Sequence, residues 1–145
     1  MIAEYTVDTA RPPTEVYAFL ADQDNWAALD PTLLDVSPRG VVFLGMTGTM
    51  RRRVNGFRVT DTWIVTALEP SSRLAMRVRG PGYEVTETMT LEAIPQGTRV
   101  TIVDVLEPTS LGGRLFVAVS GPFIRRDLKA RFERLRSLLE AAPAT

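Results

Sequence analysis

The chain has 145 residues, of which 45% are hydrophobic and 23% charged, values that fit one soluble globular domain spanning 1–145 rather than a disordered or fibrous chain. Its 17 Lys and Arg balance 17 Asp and Glu, so overall charge gives no reason to expect nucleic acid or an anionic membrane as partner. With no Cys and no His, disulfides, thiol nucleophiles, imidazole or thiolate metal sites and Ser-His-Asp triads are excluded, and proton chemistry is left to Asp, Glu, Tyr, Lys or an activated water.

The opening Met1-Ile2-Ala3-Glu4-Tyr5 has no basic segment followed by an apolar one, so no signal peptide is expected. No run approaches the ~18 apolar residues of a membrane span. A cytoplasmic location is the expectation. Residues 2–8 alternate with period two and predict a first strand. Pro12-Pro13 then opens a helix carrying Val16, Phe19 and Leu20 on one stripe. Asp22 stands where a second short helix, through Asn25 and Trp26, needs its cap, and Asp30-Pro31 ends it.

The middle of the chain reads as strands at 33–37, 42–54, 57–68, 74–79, 83–93 and 100–106. Gly45 and Gly48 fall inside the 42–54 segment and predict a bulge, a bend or close approach of another backbone. Glu69-Pro70-Ser71-Ser72, Gly80-Pro81-Gly82 and Pro95-Gln96-Gly97 are short turns, so the strands form an antiparallel meander. From 111 to 141 the period becomes helical, with Ile124, Leu128, Phe132, Leu135 and Leu139 in one stripe and Leu115, Val119 and Phe123 expected to continue it. Gly121-Pro122 inside this helix predicts a kink or break.

A twisted antiparallel sheet with one apolar face must bury the stripe of so long a helix, giving an α+β fold. Where the curved sheet does not close on the helix, a hollow remains, and a retained hollow implies a ligand. The residues expected to line it are large and soft: Trp26, Met50, Trp63, Met76, Tyr83, Met89, Ile102, Phe116, Val119 and Phe123.

Several short motifs resemble a known family in order and spacing. They are Pro13 with Val16-Tyr17, Leu20, Asp22 and Trp26; then Leu44-Gly45-Met46-Thr47-Gly48-Thr49; then Glu69-Pro70 with Arg73-Leu74; then Leu91-Glu92 with Gly97-Thr98-Arg99-Val100-Thr101. Together they resemble the START/Bet v 1 (SRPBCC) superfamily, and within it the polyketide cyclase/dehydrase-like group. The resemblance implies a helix-grip fold: a curved sheet of about six or seven antiparallel strands around a long C-terminal helix, with two short helices after the first strand. Its members include lipid carriers, metabolite binders and aromatase/cyclases, and they share no catalytic motif to carry over. Three consecutive arginines, Arg51 to Arg53, depart from the group's pattern.

Strand parity puts Glu87 on the face of Tyr83, Val85, Met89 and Leu91, and Asp104 on the face of Val100, Ile102 and Leu106. Asp61 goes with Trp63 and Val65, on a face that Ile64 and Leu68 leave open. Among the three arginines parity puts at least one on each face, and Arg51 or Arg53 is the candidate to stabilise negative charge. A carboxylate in an apolar cavity either pairs with an arginine or keeps a raised pKa and serves as acid or base. Glu87, Asp104 and Arg51 are therefore the candidate catalytic residues, with no metal and no cofactor implied. The basic C-terminal helix reads as a solvated face.

Two functions follow from this, and behind them stands a third, a protein-interaction subunit acting through the basic helix. One is a cofactor-independent cyclase/dehydratase or isomerase acting on a polyketide-like carbonyl compound. The other is a non-catalytic binder or carrier of a lipid or aromatic metabolite. Either has a small hydrophobic partner and no nucleic acid, as monomer or homodimer.

Overall fold

A computed structural model describes residues 1–54 and 56–141. The elements run β1 (Ile2–Thr9), α1 (Pro13–Leu20), a tight helical turn (Gln23–Asn25), α2 (Trp26–Leu29), β2 (Leu33–Ser37), β3 (Thr47–Val54), β4 (Phe57–Glu69), β5 (Arg73–Gly80), β6 (Tyr83–Ile94), β7 (Gly97–Pro108) and α3 (Leu111–Ala141). The seven strands form one antiparallel sheet in the order β1-β7-β6-β5-β4-β3-β2. Short turns join β3 to β7 in a meander, and the longer 38–46 loop adds β2 to it. The helices after β1 let the chain cross to the far edge, so β1 pairs with β7.

Local chemistry accounts for the helical crossing. Pro13 at the first helical position costs no hydrogen bond. Val16 and Leu20 bury the inner side of α1. Asp22 then caps the next turn, its carboxylate accepting from the Asp24 N–H at 3.0 Å. The Trp26 indole N–H donates to the Leu20 carbonyl at 3.0 Å, which fixes the ring toward the sheet.

One strand is shorter than its pattern suggests. The 42–54 segment pairs regularly with β4 only from Thr47. Gly45 adopts φ +82°, a conformation glycine takes without strain, and the Met46 N–H bonds back to the Phe43 carbonyl. The chain therefore turns before it extends. Gly48 has the close approach its position predicts: a Cβ there would collide with the Ser37 carbonyl and the Trp63 ring.

The closing helix is continuous through Pro122, without the expected break. Pro122 is exposed, as is Ala118, whose carbonyl loses its helical donor and can turn to water instead. The buried side of α3 also differs from expectation in its first half. Phe116, Ser120, Ile124 and Leu128 face inward, while Leu115, Val119 and Phe123 are exposed. At 3.6 residues per turn, that one-residue offset is a rotation of about 100°. In the second half Phe132, Leu135 and Leu139 are buried as the stripe predicts, and Tyr5 stacks on Phe132 with ring centroids 4.4 Å apart.

Candidate functional site

The concave face of the sheet follows strand parity. Met50 and Val54 on β3, Asp61, Trp63 and Val65 on β4, Tyr83, Glu87, Met89 and Leu91 on β6, and Val100, Ile102, Asp104 and Leu106 on β7 are all buried. This places Asp61 on the inner face. It also divides the arginine trio. Arg52 points inward, and Arg51 lies on the outer face with its guanidinium 2.9 Å from Asp35. The arginine beside the cavity is thus Arg52 and not Arg51, because Met50 and Val54 fix the even positions of β3 inward.

Between this face and α3 lies a cavity of about 130 Å³. Trp26, Met50, Met76, Tyr83, Met89 and Phe116 line it, and so do Glu87 and Asp104. Trp63 and Ile102 do not reach it. They are buried in the core, where Trp63 meets Trp26 edge to face with centroids 5.8 Å apart. Val119 and Phe123 are outside altogether, for the helical offset given above.

Two polar clusters stand in this otherwise apolar wall. Glu87 and Asp104 are direct cross-strand neighbours of β6 and β7. Arg131 descends from α3 and holds both Glu87 oxygens, at 2.6 and 2.7 Å. Its Nη1 is 3.9 Å from Asp104. Burial pushes the Glu87 carboxyl up, but the charge and hydrogen bonds of Arg131 outweigh that and hold it well below the usual range. Asp104 has the opposite fate. Burial and the adjacent Glu87 charge raise it to about 9, against a weaker pull from Arg131 and Arg52. At neutral pH Asp104 is a neutral acid beside an ionised Glu87.

The second cluster joins α2, β3, β4 and β6. Arg52 bonds Asp30 at 2.9 Å and lies 3.5 Å from Asp61. The Tyr83 hydroxyl donates to Asp61 at 2.5 Å. Asp30 also accepts from the Thr32 N–H and hydroxyl, at 2.9 and 2.6 Å. Burial raises Asp30, yet Arg52, Arg131 and Thr32 together bring it below its ordinary value. Burial keeps Asp61 above its ordinary value despite Tyr83 and Arg52. Asp61 Oδ2 accepts no hydrogen bond in its buried position, and the Asp104 oxygens accept none from an N–H or hydroxyl, Asp104 sharing its proton with Glu87 instead. Among the described residues no cluster of acids is arranged to hold a metal ion.

Sequence reasoning missed Arg131 and Asp30. Arg131 was hidden in a basic helix, although Leu128, Arg131 and Leu135 fall at the spacing of the buried stripe and could have marked it. Asp30 read only as a helix stop. Its contact with Arg52 joins segments 22 positions apart, and no local pattern signals it.

A curved antiparallel sheet gripping a long terminal helix over a lined apolar cavity is a helix-grip fold. The chain belongs to the family described as polyketide cyclase/dehydrase and lipid transport, whose sequence profile matches residues 2–140. No curated protein matches it in sequence. Solved structures share the fold at low identity. A Chromobacterium violaceum protein superposes with TM-score 0.75 at 16% identity, covering 97% of this chain and 98% of that one. An Arthrobacter aurescens protein gives TM-score 0.76 at 15% identity, covering 99% and 88%. Ara h 8.0201 gives TM-score 0.70 at 11% identity, covering 96% and 97%. Among the described residues no helix is long and apolar enough to cross a membrane.

Proposed function

We propose that the protein binds a small, mostly apolar carbonyl compound in this cavity and acts on it as a cofactor-independent cyclase/dehydratase or isomerase. The observation that carries this reading is the pair of buried carboxyl groups that line the cavity: Asp104, a neutral acid hydrogen-bonded to Glu87, and Asp61, whose Oδ2 accepts no hydrogen bond. Such groups are costly unless a bound molecule completes them. Their roles differ by environment. Asp61 in its ionised form is a stronger base than an ordinary carboxylate and takes a proton from the carbon next to one carbonyl. The enolate so formed attacks a second carbonyl of the same molecule, whose π bond breaks as the ring closes, and Asp104, held neutral beside Glu87, gives its proton to the oxygen of that second carbonyl; the proton on Asp61 leaves to solvent, which reprotonates Asp104. Return of the proton from Asp61 to a different carbon of the enolate gives an isomer instead. Arg131 and Glu87 position Asp104, and Tyr83 positions Asp61.

A cavity of about 130 Å³ compares with the ~150 Å³ space that takes benzene in an engineered core, so the reacting part has about the size of one ring. A second reading, a non-catalytic carrier, is favoured by one observation: Arg131 ties up both oxygens of Glu87, one of the candidate acids.

Native mass spectrometry of the protein purified from its own host identifies what co-purifies, and incubation of that compound with fresh protein separates the two readings. Catalysis predicts a product isomeric with the compound or lighter by one water, formed by the wild type and not by Asp104→Asn. Release of the compound unchanged by both proteins refutes catalysis and leaves the carrier.

A further inference from the structure

The offset of α3 leaves Leu111, Leu115, Val119 and Phe123 exposed by 81%, 67%, 59% and 38%. Spacing of four residues aligns them in one stripe about 18 Å long. Apolar side chains scattered singly on a surface need no explanation, whereas a continuous row on one element does. The inner side of the same helical segment carries Phe116 and Ile124, which line the cavity.

Charge around the stripe has one sign. No residue from 111 to 126 is acidic, and Arg114, Arg125 and Arg126 are exposed there. The Arg126 guanidinium lies 5.3 Å from the centre of the Phe123 ring, with its Nε 3.9 Å from Asp127. The sheet register brings a second element to the same end. The β3–β4 hairpin points beyond the β5–β6 turn, whose Gly82 is packed against Gly113 at the start of α3. Phe57 at the start of β4 is exposed, next to the exposed cross-strand pair Arg53 and Arg58. The exposed acids at this end are Glu107 on β7 and Asp35 on β2, the latter paired with Arg51 at 2.9 Å.

We propose that the N-terminal half of α3, with Phe57 at the start of β4, is a docking surface for an anionic lipid membrane. An amphipathic helix with Leu and Phe on one side and arginines beside them lies in the headgroup layer of such a surface. A second copy of this chain fits less well, because its equivalent surface would bring arginines against arginines. Docking here sets the cavity wall at Phe116 and Ile124 against the bilayer, a natural source or sink for a hydrophobic molecule. The surface and its test do not depend on any chemistry in the cavity.

Co-sedimentation of the full chain with phosphatidylcholine vesicles, with and without about a quarter phosphatidylglycerol, tests the proposal. Expected is retention on the anionic vesicles that weakens at ~0.5 M salt. Arg125→Gln/Arg126→Gln should weaken it roughly tenfold or more, and Leu115→Ser/Val119→Ser should abolish it. These positions are exposed, and circular dichroism verifies that the variants stay folded. Because the chain has no cysteine, Val119→Cys can carry a polarity-sensitive dye. Its emission should shift to the blue on anionic vesicles, while the dye on Ser137→Cys, exposed near the other end of α3, should not respond. Absence of retention overturns the proposal, as does retention that survives Leu115→Ser/Val119→Ser. A stripe that instead holds two copies together, seen as a dimer in sedimentation velocity that this double variant disperses while vesicles go unbound, overturns it too.

Discussion

The Arg131 guanidinium grips Glu87 in a two-pronged pair at 2.6 and 2.7 Å and stands 3.9 Å from Asp104. One cation thus serves two neighbouring carboxyl groups. It fully compensates only one charge, and the arrangement is stable because Asp104 keeps its proton. Removing the cation should therefore cost more than removing the cluster. Arg131→Met is expected to lose about 3–5 kcal/mol, the usual cost of stranding a buried charge. Arg131→Met/Glu87→Met should recover most of that loss, since apolar replacement of a buried pair is often neutral. Urea denaturation of both variants decides it.

Stability should fall as pH rises. The folded pKa of Asp104 is raised to about 9 from an ordinary 3.8. The folded state therefore binds a proton that the unfolded chain has released. The contribution is complete below the unfolded pKa and is lost as pH rises through the folded one. The slope is at most about 1.4 kcal/mol per pH unit for one retained proton. Asp104→Asn, which mimics the neutral acid, should flatten the wild-type slope between pH 5 and ~9. Chemical denaturation at stepped pH measures this, and an unchanged slope in the variant would contradict a neutral Asp104.

Tyr83→Phe removes the hydroxyl that donates to Asp61 at 2.5 Å. The Asp61 carboxyl is almost wholly buried and would lose that donor while keeping Arg52 at 3.5 Å. A loss of about 1–3 kcal/mol is expected. Tyr83→Phe/Asp61→Leu should be less destabilised than the sum of its two single variants, and a double-mutant cycle in urea reads the difference.

Gly82 should resist substitution. It adopts φ +79°, and a Cβ would stand 2.9 Å from both Gly113 Cα and Ser110 Oγ at the start of α3. Gly82→Ala is expected to cost about 1 kcal/mol or more from backbone strain alone. It should also loosen the seating of the helix on the β5–β6 turn. Hydrogen exchange should then speed up most in the first turns of α3, with the β6–β7 ladder little affected.

Much of this protein is legible in sequence because its signals are local. Period-two alternation gives β6 and β7 their inner faces, so Glu87 and Asp104 fall inside with Tyr83, Met89, Ile102 and Leu106. Proline at the start of α1 and the aspartate cap before α2 are equally short-range. Tertiary structure decided the rest, where two faces compete or distant segments meet. It decided that Arg52 and not Arg51 turns inward, because β3 has to bury Met50 and Val54. It also decided which stripe of α3 is buried. In the first half of that helix apolar residues occur on more than one side, and only the fit against Tyr83 and Gly82 selects Phe116 and Gly113 over Leu115 and Val119. Charge state was decided the same way. Whether a carboxyl keeps its proton depends on which arginine reaches it through space, and Arg131 reaches Glu87 more closely than Asp104.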